Sequence, residues 1–325
     1  MIILKDLSVE VPDTNAHHWH LEELSQPSES EVLLYGYNAS DNLSLRKRFQ
    51  NYSRKVYFNN WAPCEFAQER KDKGQEHDAF KKESFFDEIY SICPYSNKWL
   101  NSLKLGREYK DTFYPFDKKL IPESTKKHYD VIYHGGIHGQ EHLDCIRVML
   151  NHNYRYCTMT HNIHNNYGQS LTGRCLRFAT NTNLKFKDKI QLIAQTKISV
   201  CYNLVHVSPE HVPGIQSYDD WQGNEAFSEV GKWNVMPQFK TRMHEAAISK
   251  TINLVLKDSW NIAEQYYEPD REFIYFENAD DLENKIKEIK NNWEDYIPMT
   301  ERAYKKALNY TTQNFITEIR RNNEV

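Results

Sequence analysis

The sequence predicts an α/β protein made of two successive Rossmann-like units facing a cleft, and three observations carry that prediction. Short runs rich in Val, Ile, Tyr and Phe alternate with longer polar, helix-compatible stretches, the pattern of a mostly parallel sheet. A segment with two prolines and four lysines, 115–128, has no periodic apolar face, and the alternation restarts directly after it. The chain has only 11 glycines in 325 residues, and Gly135, Gly136 and Gly139 fall together at the first turn after that restart.

In the first unit, strands are expected at 32–37, 55–59, 88–93 and, very short, 112–114, with helices at 43–52 and 95–105. Residues 1–30, polar and carrying His17, His18 and His20, fit no element. The second unit reads as strand 129–134, a glycine turn, helix 140–151 and strand 154–160. Strand 198–207, helix 237–249 and strands 251–256 and 272–276 follow, then two final helices at 280–292 and 300–320. The boundaries expected are 1–118, 119–299 and 300–325.

Composition removes several function classes. With 41 Lys and Arg against 45 Asp and Glu, the net charge is −4, which argues against a broad basic surface for nucleic acid. The aromatic share of 13% supplies core volume in a chain that is only 39% hydrophobic. No stretch approaches the roughly 18 apolar residues of a membrane span, and the start lacks a basic region ahead of its apolar run, so a soluble, cytoplasmic protein is expected. The six cysteines form no C-x-x-C pair and read as reduced, mostly buried, non-catalytic thiols.

Three constellations bear on chemistry. The run 129–139, YDVIYHGGIHG, is a strand entering a glycine-rich turn ahead of a helix, where backbone N–H groups can approach an anion. It lacks G-x-G-x-x-G and the Walker lysine, so it specifies neither a dinucleotide nor a P-loop, and a tight strand-to-helix turn explains it nearly as well. His134, His138 and His142, spaced by four, could line one face of a helix as metal ligands, but the glycines between them oppose a regular helix. In 236–256, Pro237 suits a first helical turn, and Gln238, Arg242, Glu245 and Ser249 then share one face with apolar residues behind. Arg242 and Glu245 one turn apart read either as a surface ion pair or as a divided site, Arg on phosphate and Glu on ribose hydroxyls.

The order Arg242-x-x-Glu245-Ala-Ala, hydrophobic strand, acidic loop, strand 272–276 with the Asp-Asp-Leu step 280–282, and the Tyr310-Thr311 helix resembles the carboxyl half of GT-B glycosyltransferases. It is most similar to the group related to spore-maturation-type glycosyltransferases. The resemblance spans about 129–320. It implies a nucleotide-sugar donor on the second domain, an acceptor approaching from the first, and a final helix returning to brace the first domain. By this resemblance Glu245 is the ribose-binding glutamate and Arg242 the basic residue facing the diphosphate. Gly135 and Gly136 form the turn that admits the donor, and Lys240 is a further phosphate candidate. Pro237 stands eight positions before Glu245, so the two-glutamate pattern of many retaining members is missing, and Lys250 replaces the glycine that usually closes the motif.

The reading is therefore a glycosyltransferase moving a sugar from a nucleotide diphosphate sugar to a glycan, glycoconjugate or other hydroxyl acceptor, with no cofactor and no metal, retaining or inverting. His138 and Glu141, just past the turn, are the candidate catalytic bases, with Asp41 a remoter one and Trp61 a candidate for stacking on acceptor sugar. No nucleic-acid partner is expected; peripheral membrane contact and oligomeric state stay open. The alternatives are a metal-dependent hydrolase using the His134/His138/His142 cluster and a non-catalytic nucleotide-sugar-binding protein.

Overall fold

The computed structural model describes residues 1–5, 21–36, 42–59, 84–92, 94, 97–98, 101, 107–123, 126–135, 139–157, 180–181, 184–207, 224–225, 234–258 and 260–321. At 139–143, 180–181, 204–207, 224–225 and 234–237 it describes backbone only.

The first sheet holds five parallel strands in chain order: β1 (Ile2–Lys5), β2 (Glu31–Tyr35), β3 (Arg54–Asn59), β4 (Glu88–Ser91) and β5 (Tyr109–Asp111). Val32–Tyr35 and Val56–Asn59 are buried throughout, as runs covered on both faces of a parallel sheet must be. Helix α1 (Leu43–Phe49) starts at Asn42, whose side chain accepts from the N–H groups of Ser44 and Leu45. The four-residue apolar start of the chain is itself the edge strand β1, and the short strand expected at 112–114 lies just upstream at 109–111. The helix expected at 95–105 falls mostly outside the described residues.

The second sheet has β6 (Tyr129–His134), β7 (Tyr154–Cys157), β8 (Thr180–Asn181), β9 (Thr196–Cys201), β13 (Ile252–Leu256) and β14 (Ile274–Phe276), all parallel. Its spatial order is β8-β7-β6-β9-β13-β14. The chain begins in the middle, builds to one edge, then returns and builds to the other, so the order reverses between β6 and β9. A small antiparallel sheet of β10 (Leu204–Val207), β12 (Asn234–Pro237) and β11 (Asn224–Glu225) stands beside it. This corrects the single strand expected at 198–207: the chain breaks at 202–203 and changes sheets, because Asn203 is taken up in holding the next helix. The helices are α2 (Gly139–Met149), α3 (Phe186–Ala194), α4 (Arg242–Ile248), α5 (Ala279–Asn291), α6 (Trp293–Ala307) and α7 (Thr312–Arg321).

The carboxyl end forms three helices instead of two. Thr311 leaves helical geometry (φ −83°, ψ 157°) to pair with Phe116. Phe116 N–H donates to the Tyr310 carbonyl (3.0 Å) and Thr312 N–H to the Phe116 carbonyl (2.9 Å). Helix α7 then lies on the first sheet, with Phe315 4.6 Å from the Phe58 ring and Arg54 donating to the Ile319 carbonyl (2.8 Å). An aromatic chain, Phe58, Phe315, Phe113, Tyr310 and Tyr266, of which Phe113 and Tyr310 are partly buried, carries packing from the first sheet to Phe239 and His244 at α4.

Candidate functional site

In an open parallel sheet, a ligand crevice forms at the carboxyl ends of the strands where the strand order reverses, because the two flanking connections leave in opposite directions. Here that point lies between β6 and β9. β6 ends at His134 and runs into Gly135; β9 ends at Cys201, and the chain returns above it at α4 through Gln238, Phe239 and Lys240.

Gly135 and Arg242, singled out separately in the sequence, meet at this point. Gly135 has φ +154°, and a Cβ built on it would stand 2.2 Å from Nη2 and 2.4 Å from Cζ of Arg242. Only glycine leaves the guanidinium in that place. The guanidinium also lies over the Tyr133 ring, 5.4 Å from its centre. No carboxylate among the described residues pairs with it. Its backbone support is firm: the Tyr156 hydroxyl donates to the Gly135 carbonyl (2.8 Å), and Asn203 Oδ1 accepts from Lys240 N–H (2.9 Å). The Lys240 ammonium turns to Gln238 Oε1.

Glu245, three residues further on α4, lies beneath this surface and is only 2% exposed. Lys189 of α3 holds both oxygens, at 2.8 Å from Oε1 and 2.7 Å from Oε2, and the Thr241 hydroxyl donates to Oε1 (3.3 Å). His134 Nδ1 is 3.0 Å from Oε2 but off the line of a hydrogen bond, while its Nε2 meets Ser199 Oγ at 2.8 Å. Burial by itself would push the Glu245 carboxyl up; Lys189, then His134, outweigh it and hold it well below the usual carboxylate range. Burial lowers His134 to about 4 against the pull of Glu245, so its ring is neutral near pH 7. The carboxylate expected to meet ribose hydroxyls is instead enclosed by Lys189, His134 and Thr241. The sequence places Arg242 and Glu245 one turn apart; in the fold the Arg242 guanidinium lies against Gly135 and Tyr133, while Glu245 is held by Lys189, His134 and Thr241.

Of the remaining sequence-derived residues, Gly136, His138, Asp41 and Trp61 lie outside the described residues, and Glu141 and His142 are described only as backbone of α2. Of the histidine cluster only the His134 side chain is described, and its two ring nitrogens face Glu245 and Ser199; among the described residues no three His, Cys, Asp or Glu side chains are grouped to hold a metal ion. Cys145, Cys157 and Cys201 are buried and in no disulfide, and burial pushes the thiols of Cys157 and Cys201 up to about 12. The residue missed outright is Lys189. Its signal was present in α3, where Phe186, Lys189, Ile190 and Ile193 share one face, a lysine at an apolar position.

A cavity of about 560 Å³ opens between residues next to the first sheet and residues of the carboxyl-terminal part of the chain. Lys98, Asp111 at the end of β5 and Phe113 line one side, and Gln265, Tyr266 and Tyr310 the other. It combines aromatic faces with charged and amide groups.

Residues 162–321 match the family model described as glycosyl transferase-like. No curated protein matches the chain by sequence. Among solved structures, sucrose-phosphate synthase from Thermosynechococcus elongatus superposes with a TM-score of 0.60 at 8% identity, covering 90% of this chain and 73% of that one. Anabaena HepE in complex with UDP-glucose gives 0.61 at 13% identity, covering 91% and 78%. The DNA-modifying β-glucosyltransferase, studied with uridine diphosphoglucose, gives 0.52 at 12% identity, covering 89% and 80%. The two facing parallel sheets and the returning carboxyl-terminal helix are the GT-B arrangement of these proteins.

Proposed function

We propose that the chain is a glycosyltransferase, on the match of residues 162–321 to the glycosyl transferase-like family model and on its GT-B fold, and that its donor diphosphate binds at the switch point between β6 and β9, against Arg242. The observation that carries this is the Arg242 guanidinium, without a carboxylate partner among the described residues, seated on Gly135 where the strand order reverses. HepE and the β-glucosyltransferase are recorded with UDP-glucose, which makes a UDP-sugar the first donor to try.

When the glycosyl–phosphate bond breaks, positive charge develops on the sugar and negative charge on the leaving diphosphate. A fixed guanidinium stabilises that leaving group through charge-assisted hydrogen bonds, and the amino terminus of α2, opening just past the Gly135 turn, adds a favourable dipole. In this reading no divalent metal is needed. Gly136 is assigned to the donor by its place beside Gly135 in the sequence, and Lys240 reaches phosphate by exchanging its contact with Gln238. Glu245 supports the site from behind by fixing α4 to α3 and β6. His138 or Glu141 takes the acceptor hydroxyl's proton if transfer inverts. The acceptor, a glycan or other polyol, enters the aromatic cavity at Phe113, Tyr266 and Tyr310, with Lys98 and Asp111 on its hydroxyls.

Calorimetric titration of UDP- and GDP-sugars into the wild type and Arg242→Ala tests the placement. The expected result is a loss of about 10- to 100-fold in donor affinity in the variant, the worth of a charge-assisted contact, with turnover unchanged by EDTA. Equal affinities in the two proteins would remove Arg242 from the donor site.

A further inference from the structure

Resting on the donor placement at Arg242, we propose that Tyr156 is a positioning residue for the donor, acting through the Gly135 carbonyl, and that Tyr57, its counterpart in the first sheet, makes the same bond without that role.

The two tyrosines stand at equivalent places in a unit that occurs twice. Strands β2 and β3 pair in parallel with Leu34 beside Tyr57, and β6 and β7 with Tyr133 beside Tyr156. Two residues beyond Leu34 and Tyr133 the chain reaches a glycine of positive φ, Gly36 (+113°) and Gly135 (+154°). Two residues of strand rise about 6.6 Å, a span that a phenol ring and its hydroxyl cover. In both units the hydroxyl therefore reaches the glycine carbonyl: Tyr57 donates to Gly36 at 3.1 Å and Tyr156 to Gly135 at 2.8 Å, each across 21 positions of chain. Both tyrosines are buried with a stacked ring beside them, Phe86 for Tyr57 (4.9 Å, 23°) and Tyr133 for Tyr156 (6.1 Å, 7°).

What rests on each strand end differs. Ahead of Gly36 stands Tyr35, whose hydroxyl donates to Glu22, a residue preceding β2 in the chain. Ahead of Gly135 stands His134, 3.0 Å from Glu245 of α4, and the Arg242 guanidinium of the same helix fills the space a Cβ on Gly135 would take. Glycine has the widest backbone freedom and loses the most when it is ordered. By holding the Gly135 carbonyl, the Tyr156 hydroxyl keeps the turn in the conformation that leaves room for the guanidinium before any donor arrives. Without that hydroxyl, donor binding must itself order the turn, and preorganisation of this kind shows in affinity. The groups that act on the breaking bond are untouched, so the loss belongs in KM and not in kcat.

The test is titration calorimetry with UDP-glucose on the whole chain, comparing wild type, Tyr57→Phe, Tyr156→Phe, Arg242→Ala and the Tyr156→Phe/Arg242→Ala double variant. Each Phe variant loses one buried hydroxyl bond and should lower Tm by a similar amount. Only Tyr156→Phe should weaken UDP-glucose, by about three- to tenfold. Slow hydrolysis of UDP-glucose, followed as UDP release, should show that loss in KM with kcat changed by less than about twofold. In the double variant Tyr156→Phe should add nothing to the loss caused by Arg242→Ala, because residues acting in series share a single effect. Equal UDP-glucose affinities in the two Phe variants, or a full further loss in the double variant, would overturn the proposal. Wild-type affinity in Arg242→Ala would overturn the donor placement and the role of Tyr156 with it, whereas a loss in Arg242→Ala with none in Tyr156→Phe would remove Tyr156 alone.

Discussion

In the first sheet the buried charge sits at the amino-terminal ends of the strands, whereas in the second it gathers at the carboxyl ends, around the switch point. Arg54, the first residue of β3, meets Glu88, the first of β4, at 2.6 Å and donates to the Ile319 carbonyl of α7 at 2.8 Å. Lys110 and the Tyr90 hydroxyl complete the shell around Glu88. In the second sheet, His134 at the end of β6 and Lys189 of α3 enclose Glu245, directly beneath the Gly135 and Arg242 surface. The strand orders explain the contrast. The first sheet runs in sequence order through all five strands and has no reversal among the described residues, so its cluster serves to clamp the returning helix. The second reverses between β6 and β9, and its cluster stands behind a ligand crevice.

The sharpest way to break this comparison is to open each cluster in turn. Glu245→Ala leaves Lys189 buried without its partner, and loss of one member of a buried pair costs about 3–5 kcal/mol. Urea denaturation should show that loss, and Lys189→Met combined with Glu245→Leu should recover most of it. Arg54→Met should also lower stability but leave donor affinity untouched, while Glu245→Ala weakens both. Equal donor affinities in the two variants would dissolve the distinction between clamp and site.

Acid comes next in size. Burial holds His134 at about 4 and His244, whose Nδ1 lies 2.6 Å from the Tyr267 hydroxyl, at about 3, both below the ordinary 6.5. The unfolded chain therefore binds more protons below pH 6.5, and stability that is whole above that pH is lost as pH falls toward 4. For His134 the loss is on the order of 3 kcal/mol. His134→Asn should flatten the decline in a urea-denaturation series from pH 7 to 4; an unaltered decline would place the titrating groups elsewhere.

The smallest expected effect is the most local. Gly135→Ala forces the Arg242 guanidinium to move, since the new methyl would overlap it, while the side chain retains freedom to shift. Donor binding should weaken by about tenfold, near 1.4 kcal/mol, and Tm should fall, because φ +154° strains a residue that carries a Cβ. An unchanged donor affinity would mean that the guanidinium's seat on Gly135 is irrelevant to binding.

Much of the fold was legible because neighbours in the chain encode it. Strand β6 was read at 129–134 and β3 to within a residue, since a run such as Val131-Ile132-Tyr133 has no amphipathic helical face and suits a strand covered on both sides. The three-residue strands and helix ends were less legible. Thr311 leaves the helix for a pairing with Phe116, nearly two hundred residues away, which no local pattern reports.

By itself, the sequence determined the alternation of elements, the glycine turn after β6 and the one-turn spacing of Arg242 and Glu245, because these depend on backbone freedom and helical periodicity. The tertiary structure alone decided that these two side chains part company. Gly135 and Arg242 are brought together because the strand order reverses at β6 and β9, a property of how distant strands pair. Glu245 finds Lys189, 56 residues away, because a buried carboxylate must recover its lost hydration from whichever cation packing delivers.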